Sequence, residues 1–135
     1  MHDGRTKRVE ADFSDRAGDF LANHCATLIM ASGPAAGMEW SLHGARSLAG
    51  RSPKAAIELD DRSVSLEHAV FELTGSGFGV RDLASTNGVR VNGEQALSAG
   101  LEHGDRIQLG DCELRYVVED RPKKPKAWSV EDGAR

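Results

Sequence analysis

Gly50-Arg51-Ser52-Pro53, Ser65-Leu66-Glu67-His68 and Ser85-Thr86-Asn87-Gly88 are three short polar clusters in the stretch from Gly50 to Gly93, and apolar-alternating segments separate them. Ala69-Val70-Phe71-Glu72-Leu73 reads as a clear strand, and Phe78-Gly79-Val80-Arg81-Asp82-Leu83 follows it after the turn Gly75-Ser76-Gly77. Strands end at each cluster, so the clusters read as loops. Brought together at one end of a β-sandwich, those loops gather an arginine, two or three hydroxyls and an asparagine amide. Such a set suits a phosphate and the backbone beside it. An arginine fork matches phosphate oxygens, and hydroxyls and amides supply further donors.

The same pattern extends outward. Ala26-Thr27-Leu28-Ile29-Met30 is a buried-strand candidate stopped by Ser32-Gly33-Pro34, and Met38 to Leu42, Arg46 to Ala49 and Ala56 to Leu59 follow. Val89-Arg90-Val91 ends at Asn92-Gly93, a strong hairpin signal. Gln95-Ala96-Leu97, Arg106 to Leu109 and Cys112 to Val118 complete the series. The expectation is an all-β sandwich of about ten to eleven short, mostly antiparallel strands, without a helix between Ala26 and Val118. Residues 1–25 read as a flexible N-terminal tail, 26–119 as the domain, and 120–135 as a tail containing Pro122, Pro125 and several lysines. Phe13, Phe20 and Leu21 form a short helical face or dock on the domain in the alternative reading, and Trp128 stands alone in the C-terminal tail as either a docked residue or a partner anchor.

Charge narrows the partners. Residues 26–119 hold eight Lys and Arg against thirteen Asp and Glu, a net of −5. An acidic domain with one well-placed Arg51 favours a specific anion site over nucleic acid. The two cysteines, Cys25 and Cys112, are too few for a disulfide framework or a zinc site and read as free thiols. No apolar run approaches membrane-spanning length and the N-terminus does not read as a signal peptide, so the expectation is a cytoplasmic protein that binds neither membrane nor nucleic acid.

Five motifs in order then carry a family resemblance: Gly50-Arg51-Ser52, Ser65-Leu66-Glu67-His68, Asp82 to Gly88, Val91-Asn92-Gly93, and Leu101 to Gly110. Together they resemble a forkhead-associated (FHA) domain, whose fold is a β-sandwich with functional loops at one end. The resemblance implies a non-catalytic module that reads phosphothreonine-containing proteins or peptides. Its partner would be a Ser/Thr protein kinase or that kinase's substrate, and no cofactor or metal is needed. It assigns phosphopeptide binding to Arg51, Ser65, Thr86 and Asn87, and loop-supporting roles to Gly50, His68, Ser85 and Gly88. Preference for threonine over serine would come from a small apolar pocket for the γ-methyl, worth about 0.8 kcal/mol. The pattern departs from the family at Leu66, where a polar or basic residue is usual. Lys54 or Arg62 in adjacent loops would then supply the missing charge, or Leu66 would meet an apolar residue of the ligand.

Each assignment has a plainer counterpart. Arg51 would otherwise be a surface arginine paired with a carboxylate such as Glu67, and Ser65 a turn-forming serine. His68 lacks neighbours at ligand spacing and makes a poor metal site. Leu66 also leaves open a phosphate-independent protein–protein interaction or self-association domain of the same fold. Ser65, His68 and Asp82 can be written as a hydrolase triad, but Ser65 and His68 share one tight turn and no nucleophile elbow is present. Thr6 lies among Arg5, Lys7 and Arg8, a context many Ser/Thr kinases select, and the segment before the domain is long enough to reach the loops at roughly 3.3 Å per residue. Phosphorylated Thr6 is therefore expected to compete with an external phosphopeptide, raising its apparent Kd in an anisotropy titration; an unchanged Kd removes this intramolecular reading.

Overall fold

A computed structural model of the chain describes residues 20–121. The elements are β1 (His24–Met30), β2 (Glu39–Leu42), β3 (Arg46–Gly50), β4 (Ile57–Glu58), β5 (Ala69–Thr74), β6 (Gly77–Asp82), β7 (Val89–Val91), β8 (Glu94–Gln95), β9 (Ser98–Gly100), β10 (Arg106–Leu109) and β11 (Cys112–Asp120). They form a six-stranded sheet in the order β2-β1-β11-β10-β7-β8 and a five-stranded sheet in the order β4-β3-β5-β6-β9. Every pairing is antiparallel except β3 with β4. The expected all-β sandwich is the observed one.

Side-chain alternation sets which faces meet. On β1, Ala26, Leu28 and Met30 are buried while Thr27 and Ile29 are half-exposed. Opposite them on β11, Leu114 and Tyr116 are buried and Arg115 is exposed, with Leu28 in register with Tyr116 and Met30 with Leu114. The second sheet contributes Ala49, Phe71, Phe78 and Val80 to the same core. Ala49 is fully buried, so the small side chain at this position is part of the packing. Tyr116 joins the layers: its hydroxyl accepts the backbone N–H of Phe78 at 3.1 Å, and burial pushes the phenol pKa up.

Two details differ from the expectation. Gln95-Ala96-Leu97 does not form one strand. Gln95 pairs with Arg90 in the larger sheet, and Ser98 pairs with Arg81 in the smaller. Between them, the Ala96 N–H donates to Val89 O at 2.9 Å and Leu97 O accepts from the Asp82 N–H at 2.8 Å, so the chain changes sheets within these two residues. Ordered packing also begins before residue 26. Phe20–Asn23 is a helical turn, and the Phe20 ring meets Phe78 edge-on with centroids 6.1 Å apart. At the other terminus β11 runs through Asp120, and Arg121 donates from Nε to Leu21 O at 2.6 Å. Thr6, Phe13 and Trp128 lie outside the described residues.

Register places the loops. Ala49 faces Ala69, which faces Asp82, so the chain leaving β3, entering β5 and leaving β6 does so at one end of the smaller sheet. In the larger sheet Val89 faces Leu109, which faces Cys112, and Met30 faces Leu114. Hydrogen bonds across the gap between sheets put the 51–56, 59–68, 83–88 and 110–111 connections together. Tyr116→Phe leaves the buried Phe78 N–H without its acceptor. It is expected to cost about 1–3 kcal/mol in urea unfolding at unchanged m-value.

Candidate functional site

Gly50 is the floor of the loop cluster. A Cβ there would sit 2.1 Å from Leu66 O and 3.0 Å from Ser65 O, so the 65–66 backbone lies directly on it. Gly50 is not among the residues with positive φ. The requirement for glycine at this place is close approach of another backbone, not an unusual conformation. Three backbone hydrogen bonds fasten the contact: Arg51 N–H to Ser65 O at 2.9 Å, Ser52 N–H to Leu66 O at 3.2 Å, and His68 N–H to Ala49 O at 2.9 Å.

Arg51 stands on this floor, exposed. Its Nε donates to Val64 O at 3.0 Å, which orients the guanidinium and leaves both terminal NH₂ groups without a partner among the described residues. The pairing with Glu67 considered from sequence does not form, and Arg51 has no ion pair among the described residues. Ser65 is bound on every side. Its N–H donates to His68 Nδ1 at 3.0 Å, and its Oγ accepts the Thr86 N–H at 3.1 Å, which leaves the hydroxyl proton to donate.

His68 is fully buried. Because Nδ1 accepts from Ser65, the ring proton sits on Nε2 and donates to Gly88 O at 2.8 Å. The imidazole thus ties the 65–68 loop to the 85–88 loop. Neither bond resembles a triad: His68 does not bond Asp82 or the Ser65 hydroxyl, and Asp82 Oδ1 accepts from Ser85 N–H at 3.2 Å and Ser85 Oγ–H at 2.5 Å. Ser85 Oγ in turn accepts the Gly88 N–H at 2.9 Å, and Gly88 has φ +76, a conformation glycine adopts without strain. Thr86 and Asn87 project from this braced turn and are exposed. Asn87 donates one amide N–H to Ser63 O at 2.8 Å, leaving its second N–H and its carbonyl.

Ser63 is the residue the sequence motifs do not single out. Its N–H and Oγ–H both donate to Asp61 Oδ1, at 2.9 and 2.6 Å, and hold that carboxyl below its usual range. Its Oγ accepts the Asp111 N–H at 2.7 Å, and its backbone rests on Gly110, where a Cβ would lie 2.3 Å from Ser63 O. Ser63 therefore pins three connections at once. The available signal was Asp61 two residues earlier, the pattern of a side chain closing its own turn.

Leu66 is 53% exposed beside Arg51, and Lys54 and Arg62 are exposed on the flanking loops. The assembled groups are cationic and donor-rich with one apolar neighbour, which suits an anionic group carried on a peptide backbone. His68 acts inside the cluster and Arg51, Ser65, Thr86 and Asn87 at its surface. The Asn92-Gly93 turn lies at the opposite end, both residues at positive φ, with Asn92 Nδ2 donating to Asp105 Oδ1 at 3.0 Å.

The FHA domain family matches residues 48–110. The glycogen accumulation regulator GarA of Mycolicibacterium smegmatis is 41% identical over 98 residues, covering 73% of this chain and 62% of that protein. The oxoglutarate dehydrogenase inhibitor of Corynebacterium jeikeium is 38% identical over 106 residues, covering 78% of this chain and 74% of that protein. Among solved structures, an FHA domain studied for phosphothreonine-dependent interactions superposes with a TM-score of 0.64 at 31% identity, covering 69% of this chain and 95% of that one. This chain spans about three fifths of the length of the GarA regulator, the 62% given above.

Gly50→Ala is expected to push the 65–66 backbone off its floor and to cost at least about 2 kcal/mol in urea unfolding. Gly44→Ala is the control. Its Cβ would meet nothing closer than Arg46 O at 3.8 Å, and it should leave stability nearly unchanged.

Proposed function

The chain belongs to the FHA domain family, and from that premise we propose that it is a non-catalytic module binding phosphothreonine-containing peptides in Ser/Thr kinase-dependent signalling. The observation that carries the reading is Arg51: a guanidinium fixed at Nε, free of any carboxylate among the described residues, and exposed beside Ser65. Its two NH₂ groups and the Ser65 hydroxyl take the phosphate oxygens. The remaining Asn87 amide groups pair with the peptide backbone on one side of the phosphothreonine, and the Thr86 hydroxyl adds a donor between them. Because His68 and Ser85 brace both loops before any ligand arrives, little ordering cost falls on binding. Partners are phosphorylated proteins, met in the cytoplasm, and the domain's acidity disfavours nucleic acid.

Leu66 supports a second reading, in which its exposed side chain contributes to a contact that does not require phosphate. The two separate in one titration. A degenerate phosphothreonine peptide pool should bind with micromolar affinity while its unphosphorylated twin does not. Arg51→Ala should weaken that binding by at least about thirtyfold, the loss of a charge-assisted contact of about 2 kcal/mol. Equal binding of both pools, insensitive to Arg51→Ala, overturns phosphate recognition and favours the contact through Leu66.

A further inference from the structure

Next to the loop cluster lies a groove that the phosphate site does not use. It has a volume of about 490 Å³ and opens between the 31–38 connection, the end of β4 and the β10–β11 turn. Met30, Met38 and Trp40 form much of its apolar lining, and Met38 is 52% exposed. Thioethers and an indole make an adaptable surface for an aliphatic side chain. Asp60, Asp61 and Asp111 stand at its rim, and no lysine or arginine lines it. None of the three is ion-paired among the described residues. Their field reaches the floor: the Cys112 thiol pKa is raised first by burial and then by Asp61 and Asp111. Trp40 is also a wall of a second cleft, about 480 Å³, which continues along the open side of the sandwich past Ser47 and Ile57. An extended segment leaving the groove therefore has a path.

The groove adjoins the site. Asp61 is four residues from Ser65, at most about 14 Å along an extended chain. Asp111 donates its N–H to Ser63, the residue whose carbonyl holds Asn87. Asn87 and the Asp111 rim thus meet on one residue, so a peptide lying over Asn87 needs only a short extension to reach the groove.

We propose that this groove is a second docking site for the phosphothreonine partner, taking a Lys- or Arg-bearing segment that carries one large aliphatic side chain. The aliphatic group enters between Met30, Met38 and Trp40, and the cations meet Asp60 and Asp111. The attachment to a phosphothreonine peptide rests on the function proposed above; the chemistry of the groove stands on its own lining. Bivalent engagement turns a weak second contact into an intramolecular one and raises overall affinity.

The test uses the full chain with Trp128→Phe, so that Trp40 is the remaining indole. Five fluorescent probes are titrated at low and high salt: a phosphothreonine peptide with a Gly-Ser extension, two versions of that peptide with Lys-Leu-Arg beyond a Gly-Ser spacer on one side or the other, and the unphosphorylated twin of each of these two. The Lys-Leu-Arg phosphopeptide in one of its two orientations is expected to bind about tenfold tighter than the neutral one. That gain should vanish in high salt, in the double variant Asp60→Asn/Asp111→Asn, and when Glu-Leu-Glu replaces Lys-Leu-Arg. Trp40 emission should shift only with the Lys-Leu-Arg probes. Equal affinities without a Trp40 shift, or a gain that survives the double variant, overturn the proposal. Failure of phosphate recognition reads differently: the neutral phosphopeptide then does not bind at all. A Trp40 shift with an unphosphorylated Lys-Leu-Arg probe, abolished by the double variant, still supports the groove in that case. A Trp40 shift that follows protein concentration without peptide assigns the groove to a second copy of the chain and overturns the proposal.

Discussion

The loop end of this sandwich depends on two backbones in contact. The Ser65–Leu66 peptide lies so close to Gly50 that no side chain fits between them. From that contact follow the position of Arg51, the hydrogen bond from its Nε to Val64, and the place of the Ser65 hydroxyl. Around it, His68 carries the connection onward to Gly88, and Ser63 carries it to Asp111 and Asn87. This end of the molecule is thus a layer of exposed donors over an interior tied together by hydrogen bonds. Such an arrangement keeps charged groups in water while fixing where they point, which avoids the cost of burying them.

Rigid support also sets what can vary. Leu66 contributes its backbone to the floor and its side chain to the surface, so the two roles are separable. Because the contact with Gly50 is made by backbone atoms, a change of side chain at position 66 alters the surface beside Arg51 and not that contact. Residues such as Ser63, Ser85 and His68 have no such freedom, because their polar atoms are consumed within the cluster. The surface positions are free to vary, and the interior sets the geometry they share.

Much of this was legible in the chain itself. Period-two alternation located most of the strands, because one face of each sheet is buried and the other wet. Asn92-Gly93 announced its hairpin, since both residues take positive φ. The sheet change at Ala96–Leu97 was not legible, for alternation reports which face a side chain takes and says nothing about which strand its backbone bonds. Phe20 was ambiguous for a similar reason: whether a lone aromatic docks depends on Phe78, distant in sequence. Motif order pointed to Arg51, Ser65 and the 85–88 turn, and the fold brings these segments together at one end. Motif order did not reveal why Gly50 must be glycine or that Ser63 joins three connections, because both facts arise from contacts between segments brought together only by folding.

The pairing of β1 with β11 has a consequence for how the chain acquires this structure. His24 lies opposite Asp120 and Met30 opposite Leu114, so among the described strands the earliest in sequence pairs with the latest. Until the two pair, β1 has an in-sheet partner only in β2, a short edge strand. Closing the larger sheet therefore requires a loop of most of the domain's length to be drawn together, an entropic cost that local pairings do not carry. Nascent chains halted before residue 112 lack that closing strand, and with it the Tyr116 link between the two layers.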